Sequence, residues 1–325
     1  MQTKIVKNGI RFQVVLLFVV LAGLLLPGTI LSLVQAGEGE IEHPMMNPAH
    51  YTDKGICSNC GMMLNMWART RHAFSNSEGE FETCSLHCLA DMSMRIDEQP
   101  RNVKSALFTA PEKMVPAADA VYVVGSSAPG TMTMKSKLVF ASEKEARDFV
   151  AAKGGTVSDF SAAYEMAFKE LAMSRPAIDA RRKKTGKIKE PAETEGCTVC
   201  GMYPYRYPTY RSQILTMDKK TLHFCSTRCL VYYLANPAQY LDSPPKEMFT
   251  WVTVYPEGIY EYAGGLFYVV GSGVHGPMGF EALPFRTRAE AGAFAAKEGG
   301  KVMRFEEITP DMLQGGHGHG MKMKR

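Results

Sequence analysis

Cys197-Thr198-Val199-Cys200-Gly201-Met202 has a near copy upstream, Cys57-Ser58-Asn59-Cys60-Gly61-Met62. Each is followed by a second cysteine pair, Cys84-Ser85-Leu86-His87-Cys88 in the first case and Cys225-Ser226-Thr227-Arg228-Cys229 in the second. All 8 cysteines of the chain belong to this plan, four per copy. Thiols repeated at such spacing point to a soft metal ion or a redox pair. Gly61 and Gly201 permit the tight turn that lets two sulfurs converge. Cys84 and Cys88 stand at i and i+4 and share one face of a helix. That helix is expected to open at Cys84 and run to about Arg95, where first-turn amides would favour thiolate.

The repeat extends well beyond the cysteines. Asn76-Ser77-Glu78-Gly79 and Asp218-Lys219 each separate two strand-like runs, so a hairpin stands between the two cysteine pairs of either copy. Ala120-Val-Tyr-Val-Val-Gly125 recurs as Leu266-Phe-Tyr-Val-Val-Gly271. A helix capped by Ser142 and stopped by Gly154-Gly155 recurs from Thr287 to Gly299-Gly300. Phe160, Ala163, Tyr164, Ala167, Phe168 and Leu171 mark a further packed helix. A spacing of roughly 140 residues is that of whole domains rather than of a solenoid. The expected fold is α+β, two tandem domains of two strand–strand–helix–strand units each. Their spans are 56–175 and 196–310, joined by a mobile basic and Pro-containing linker at 176–195.

Both ends carry separate signals. Lys4, Lys7 and Arg11 precede an uncharged apolar run, and Val34-Gln35-Ala36 offers small residues for a signal peptidase. Residues 1–36 are therefore an export signal cleaved after Ala36 or, if uncleaved, an inner-membrane anchor. Either way the rest is expected outside the cytoplasm, in the periplasm. Residues 37–55 form a flexible lead-in, and residues 311–325 a His/Met-rich tail ending His317-Gly-His319-Gly-Met321.

Composition narrows the function. The net charge of +4 is mild, and the run Arg181-Arg182-Lys183-Lys184 lacks interleaved aromatics, so no nucleic-acid role is expected. There is no Ser-His-Asp, phosphate-cradling or haem-attachment pattern, since Gly follows each CxxC. A non-enzyme is expected. Four soft ligands per copy suit Cu(I) or Zn(II), and thioethers would favour Cu(I). Among the 21 methionines, Met62 and Met202 follow the CxxC-Gly turns, and Met132 and Met278 recur in glycine-containing loops. They are ligands or core filler.

These motifs resemble the NosL family: the CxxCGM start, the Tyr-Val-Val-Gly strand, the Gly-x-Met loop, and the late helix with its Ala-Ala-Lys and closing Gly-Gly. The resemblance spans residues 56–160 and 196–308. It implies a periplasmic copper-binding accessory protein for nitrous oxide reductase maturation, with a fold related to organomercurial lyase. It implies Cu(I) held by Cys60 or Cys200 with Met132 or Met278. The implied partners are the recipient cuproenzyme or its assembly machinery, with a copper exporter or a thiol reductant. The chain departs from the family in having two copies, in lacking the lipoprotein cysteine, and in its CxxxC helix. That helix resembles TRASH-type cysteine-rich modules, so the candidate ligands are Cys57, Cys60, Cys84, Cys88, Cys197, Cys200, Cys225 and Cys229 together with the four methionines. Three other readings stay open: a structural four-cysteine zinc module used for metal sensing or interaction, two disulfides per copy, and organomercurial cleavage by analogy of fold.

Overall fold

The computed structural model describes residues 55–314. Residues 1–54, where an export segment and a lead-in are expected, and the tail from residue 315 lie outside the described residues.

One small motif is used four times. The first copy contains β1 (His72–Asn76), β2 (Gly79–Thr83), α1 (Leu86–Ile96) and β3 (Arg101–Ala106), with β4 (Met114–Pro116) added at the edge. It continues with β5 (Val121–Val124), β6 (Lys137–Phe140), α2 (Glu143–Lys153) and β7 (Thr156–Ser158). Two helices follow, α3 (Phe160–Lys169) and α4 (Leu171–Lys184). The second copy repeats the plan as β8 (Ser212–Thr216), β9 (Thr221–Phe224), α5 (Thr227–Ala235), β10 (Glu247–Val254) and β11 (Ile259–Tyr262). It closes with β12 (Phe267–Gly276), β13 (Gly279–Phe285), α6 (Arg288–Glu298) and β14 (Lys301–Arg304). The sheet orders are β2-β1-β3-β4, β6-β5-β7, β11-β10-β8-β9 and β13-β12-β14. In every unit the first strand is central, flanked antiparallel by its hairpin partner and by the strand that returns after the helix. The α+β tandem is thus the observed architecture.

Local chemistry sets the elements. Ser85, Ser142, Asp159, Ser226 and Thr287 each accept a hydrogen bond from the amide three residues on, which satisfies an otherwise orphaned helix N–H. In β5 the side chains alternate between two cores. Tyr122 and Val124 face one shared with α1 and α3, while Val123 faces another with Leu138, Phe140 and Ala146.

The copies do not have separate cores. Phe74, Leu86, Leu89 and Tyr122 of the first pack in one cluster with Phe267, Val269, Leu283 and Phe285 of the second. The described residues form a single compact unit. A second cluster belongs to copy two alone, built around Phe224, Leu230, Val252 and Tyr268.

The stretch 176–195, read from sequence as a linker, is ordered differently. Helix α4 runs through Pro176 to Lys184, and Ile188 and Pro191 are buried. The basic run has partners that sequence spacing does not reveal. Arg182 pairs with Asp179 and Glu261 and stacks 4.9 Å from Trp251, and the Lys187 ammonium lies 5.1 Å from the Phe249 ring. Cation–aromatic contact with copy two is what fixes this segment. The last strand, β14, ends at Arg304, where Phe305–Glu307 turn into a 3-10 helix.

Candidate metal centre

Each CxxC turn folds as the same knuckle. The Cys57 amide donates to the Met62 carbonyl (2.7 Å) and the Gly61 amide to the Cys57 carbonyl (2.9 Å). Cys197 and Gly201 repeat both bonds at 2.7 and 2.9 Å. Gly61 and Gly201 hold φ of 74° and 73°, a left-handed conformation that glycine adopts without steric cost. The Ser58 amide then docks on the Glu82 carbonyl, and that of Thr198 on the His223 carbonyl, which brings each knuckle against the second strand of its hairpin.

That strand ends at Cys84 or Cys225, and the helix supplies Cys88 or Cys229. Cys84 does not open the helix as the sequence suggested. It precedes the Ser85 cap, and Cys88 sits at the third helical position with its amide on Ser85 Oγ. Cys225, Ser226 and Cys229 repeat the arrangement.

The result is two convergent four-sulfur clusters, each with all ligand atoms within 4.8 Å of one another. The Cys60–Cys84 and Cys84–Cys88 sulfurs are 3.6 Å apart. In copy two, Cys200–Cys225, Cys225–Cys229 and Cys229–Cys200 stand at 3.5, 3.6 and 3.8 Å. A tetrahedral ion with metal–sulfur bonds of about 2.3 Å sets its sulfurs about 3.8 Å apart. The clusters are therefore spaced to accept one ion each, and the described cysteines form no disulfide.

Charge within each cluster is unequal. Burial pushes the Cys57 thiol up, but hydrogen bonds from Cys60, Cys84 and Cys88 prevail and hold it well down. The Cys225 and Cys229 thiols hold Cys197 down in the same way. The thiols that donate are pushed up: Cys84 and Cys88 by Cys57, and Cys225 and Cys229 by Cys197. Like charges at this distance repel, so ionising one thiol of a cluster disfavours ionising the next. The lowered thiol expected in the helix's first turn is thus found on the knuckle instead.

The four methionines diverge. Met62 is buried against cluster one and Met132 packs on it. Thr131 positions Met132: its hydroxyl lies 3.0 Å from that of Thr70, which donates to the Cys84 carbonyl at 2.7 Å. Met202 packs on the core that includes Cys197, Cys225 and Cys229. Met278 stands in the β12–β13 turn, 37% exposed, where the pairs His275↔Phe280 and Gly276↔Gly279 prolong the hairpin. The matching segment of copy one has no such pairing beyond Val124↔Lys137 and folds back onto its thiols. His87 and His223 are buried, but neither joins a convergent ligand group among the described residues.

The two knuckles also differ in cover. Every residue from Cys60 to Met62 is buried, and the Tyr262 ring lies on Gly61. Gly265 of copy two abuts the Asn59 carbonyl, and Asn59 donates to Asp91 at 2.9 Å. In copy two, Cys200 is half-buried, Gly201 is exposed, and nothing stands within 4 Å of where its β-carbon would be. Tyr262, Asn59 and Asp91 were not legible as site residues, since nothing in a repeat shows which copy will cover the other.

The fold and its two thiol clusters define a tandem α+β protein built around paired four-cysteine centres. The chain belongs to the NosL family, whose model matches residues 48–166 and again 188–313. It is 33% identical over 127 residues to the copper-binding lipoprotein NosL of Stutzerimonas stutzeri, covering 38% of this chain and 66% of that one. It is 34% identical over 123 residues to the copper-binding lipoprotein NosL of Achromobacter cycloclastes, covering 35% and 63%. The chain thus spans somewhat less than two thirds of these relatives. Among solved structures it is similar to the copper chaperone NosL from Shewanella denitrificans, at 28% identity and TM-score 0.34, over 38% of this chain and 96% of that one.

Proposed function

We propose that this chain is a non-enzymatic, extracytoplasmic Cu(I) carrier that delivers copper for maturation of a cuproenzyme, with nitrous oxide reductase the recipient. The observation that carries the reading is the pair of convergent thiol clusters in a chain whose relatives are named copper-binding. Soft thiolates select Cu(I), and Met62 and Met132 beside cluster one add the thioethers that copper accepts and structural zinc seldom uses. The half-buried Cys200 supports delivery, since ligand exchange between proteins needs a reachable sulfur. Membrane attachment, a copper exporter and a thiol reductant belong to the same proposal.

A specific observation also favours a second reading. Four sulfurs gathered within 4.8 Å match the closed shell of a structural zinc site. Anaerobic reconstitution of the reduced chain with Cu(I) and, separately, Zn(II) decides between them. The carrier reading expects two copper ions per chain, released to a competing Cu(I) chelator, with sulfur-dominated X-ray absorption weakened in Cys200→Ser. Zinc that stays bound against excess Cu(I), and whose chelation unfolds the chain, would establish the structural module.

A further inference from the structure

Cluster one borders a cavity of about 250 Å³ that neither copy could form alone. Its floor is Cys60 and Met132 from copy one, and its far wall is Phe249 and Trp251 from β10 of copy two. Trp67 also lines it, as do Arg181 near the end of α4 and Lys187 just beyond that helix. Among the described residues no carboxylate stands within ion-pair distance of either cation, whereas Arg182, between them in sequence, has two such partners. Lys187 is half-buried over Phe249, and among the described residues its ammonium has no hydrogen-bond or ion-pair partner. A cation drawn from water without a counter-ion is costly unless an anion completes it. The chamber therefore joins three features in one lining: a soft sulfur donor, apolar and thioether side chains, and two cations without a carboxylate partner.

We propose that this chamber binds a small carboxylate-bearing thiol, through which a soft metal ion reaches Cys60. The proposal rests on the carrier reading for its biological use. The carboxylate faces Lys187 and Arg181, the carbon skeleton lies against Trp251, and the sulfur approaches Cys60. The volume lies just under the usual 300–1,000 Å³ of ligand pockets, which suits a molecule of cysteine size or the cysteine end of a thiol peptide. Transfer is a ligand exchange without redox change. The bond from Cu(I) to the small thiolate breaks as that to Cys60 sulfur forms, and the Cys60 proton leaves on the departing thiol. The duplication thereby acquires a purpose at cluster one: copy two builds the wall of a loading chamber.

The chain contains 2 tryptophans, Trp67 and Trp251, and both line the chamber, so intrinsic indole emission reports on this place alone. The experiment titrates the reduced, metal-free full chain with N-acetylcysteine and, in parallel, with its uncharged amide. The expected result is a saturable change in emission with the acid, at least tenfold weaker with the amide. Lys187→Glu and the surface variant Arg181→Glu should each weaken binding tenfold or more, and Lys187→Arg should retain it. Equal response to acid and amide, no response to either, or full binding by Arg181→Glu would overturn the proposal. The readout needs no metal. A chain that binds copper without this response disproves the chamber alone, and one that shows the response but retains only zinc disproves the carrier reading alone.

Discussion

The Tyr262 ring of copy two lies so close on Gly61 of copy one that a β-carbon there would sit 2.5 Å from its Cε2. Gly201, at the same place in the other knuckle with nearly the same φ, faces open space. Alanine at either position meets the left-handed backbone cost of about 1–2 kcal/mol. Gly61→Ala must also displace a ring packed edge-on against Trp251, adding about 1–3 kcal/mol of overpacking. Urea denaturation of the reduced, metal-free chain should rank Gly61→Ala clearly below Gly201→Ala. Equal losses would mean that the copies do not meet through this contact.

The same contact predicts unequal thiol chemistry. Reaction with an alkylating agent needs both thiolate and access. Cys60 is 2% exposed, whereas Cys200 is half-buried beside an uncovered glycine. Timed maleimide labelling followed by peptide mass spectrometry should find Cys200 modified at least tenfold faster than Cys60. Tyr262→Ala should narrow the gap by speeding Cys60 and leaving Cys200 alone. Labelling at equal rates in the native chain would remove the asymmetry on which the proposed delivery from copy two depends.

Arg95 ties the copies through charge. Its guanidinium, 4% exposed, meets Asp91 at 2.8 Å and Glu261 of copy two at 3.5 Å, and donates to the Gly265 carbonyl. Burial raises the Asp91 and Glu261 carboxyls, but the surrounding cations, Arg95 foremost, hold both below their ordinary values. Removing one partner of a buried pair costs about 3–5 kcal/mol, because the other charge is left unmatched. Arg175 still faces Asp91, and Arg182 and Arg286 still face Glu261, so Arg95→Met should fall at the lower end of that range. The denaturation midpoint at pH 7 measures it. Asp91→Asn should also loosen the Asn59 side of the first knuckle and speed Cys60 labelling.

Much of this architecture was legible because local signals agree with each other. Ser142 and Thr287 cap helices where expected, the Ser77-Glu78 and Asp218-Lys219 turns close hairpins, and the cysteine spacing alone grouped the thiols four and four. Most of what the sequence concealed is contact between copies. Residues 181–189 look like a solvated charge run because the rings they cover, Phe249 and Trp251, lie more than 60 residues downstream, and no periodicity encodes that meeting. Met132 and Met278 match in position, yet the added pairs of the β12–β13 hairpin carry Met278 outward. Asp91 reads as an ordinary helix-surface acid until Arg95 and Glu261 are seen around it. The offset from Cys84 to the Ser85 cap, by contrast, was readable, since Ser is the stronger N-cap residue.

Glu281 on β13 supplies a pH dependence that the thiols do not. It is buried behind Arg228, whose amide donates to Oε1 at 2.6 Å, as does that of Ala282 at 3.2 Å. Its Oε2 has no partner among the described residues. Burial pushes its carboxyl up from 4.5 to about 7, against the pull of those amides. A carboxyl raised on folding favours the native state while it stays protonated. Its contribution is complete below pH 4.5 and falls away as pH rises through 7. Glu281→Gln keeps an acceptor for both amides and cannot ionise. The variant should match the native chain at pH 4.5 and exceed it at pH 8 by on the order of 3 kcal/mol at most. Denaturation of the reduced protein at both pH values tests this. A variant weakened equally at both would show that Glu281 is held as a carboxylate, with its second oxygen satisfied by water or an ion.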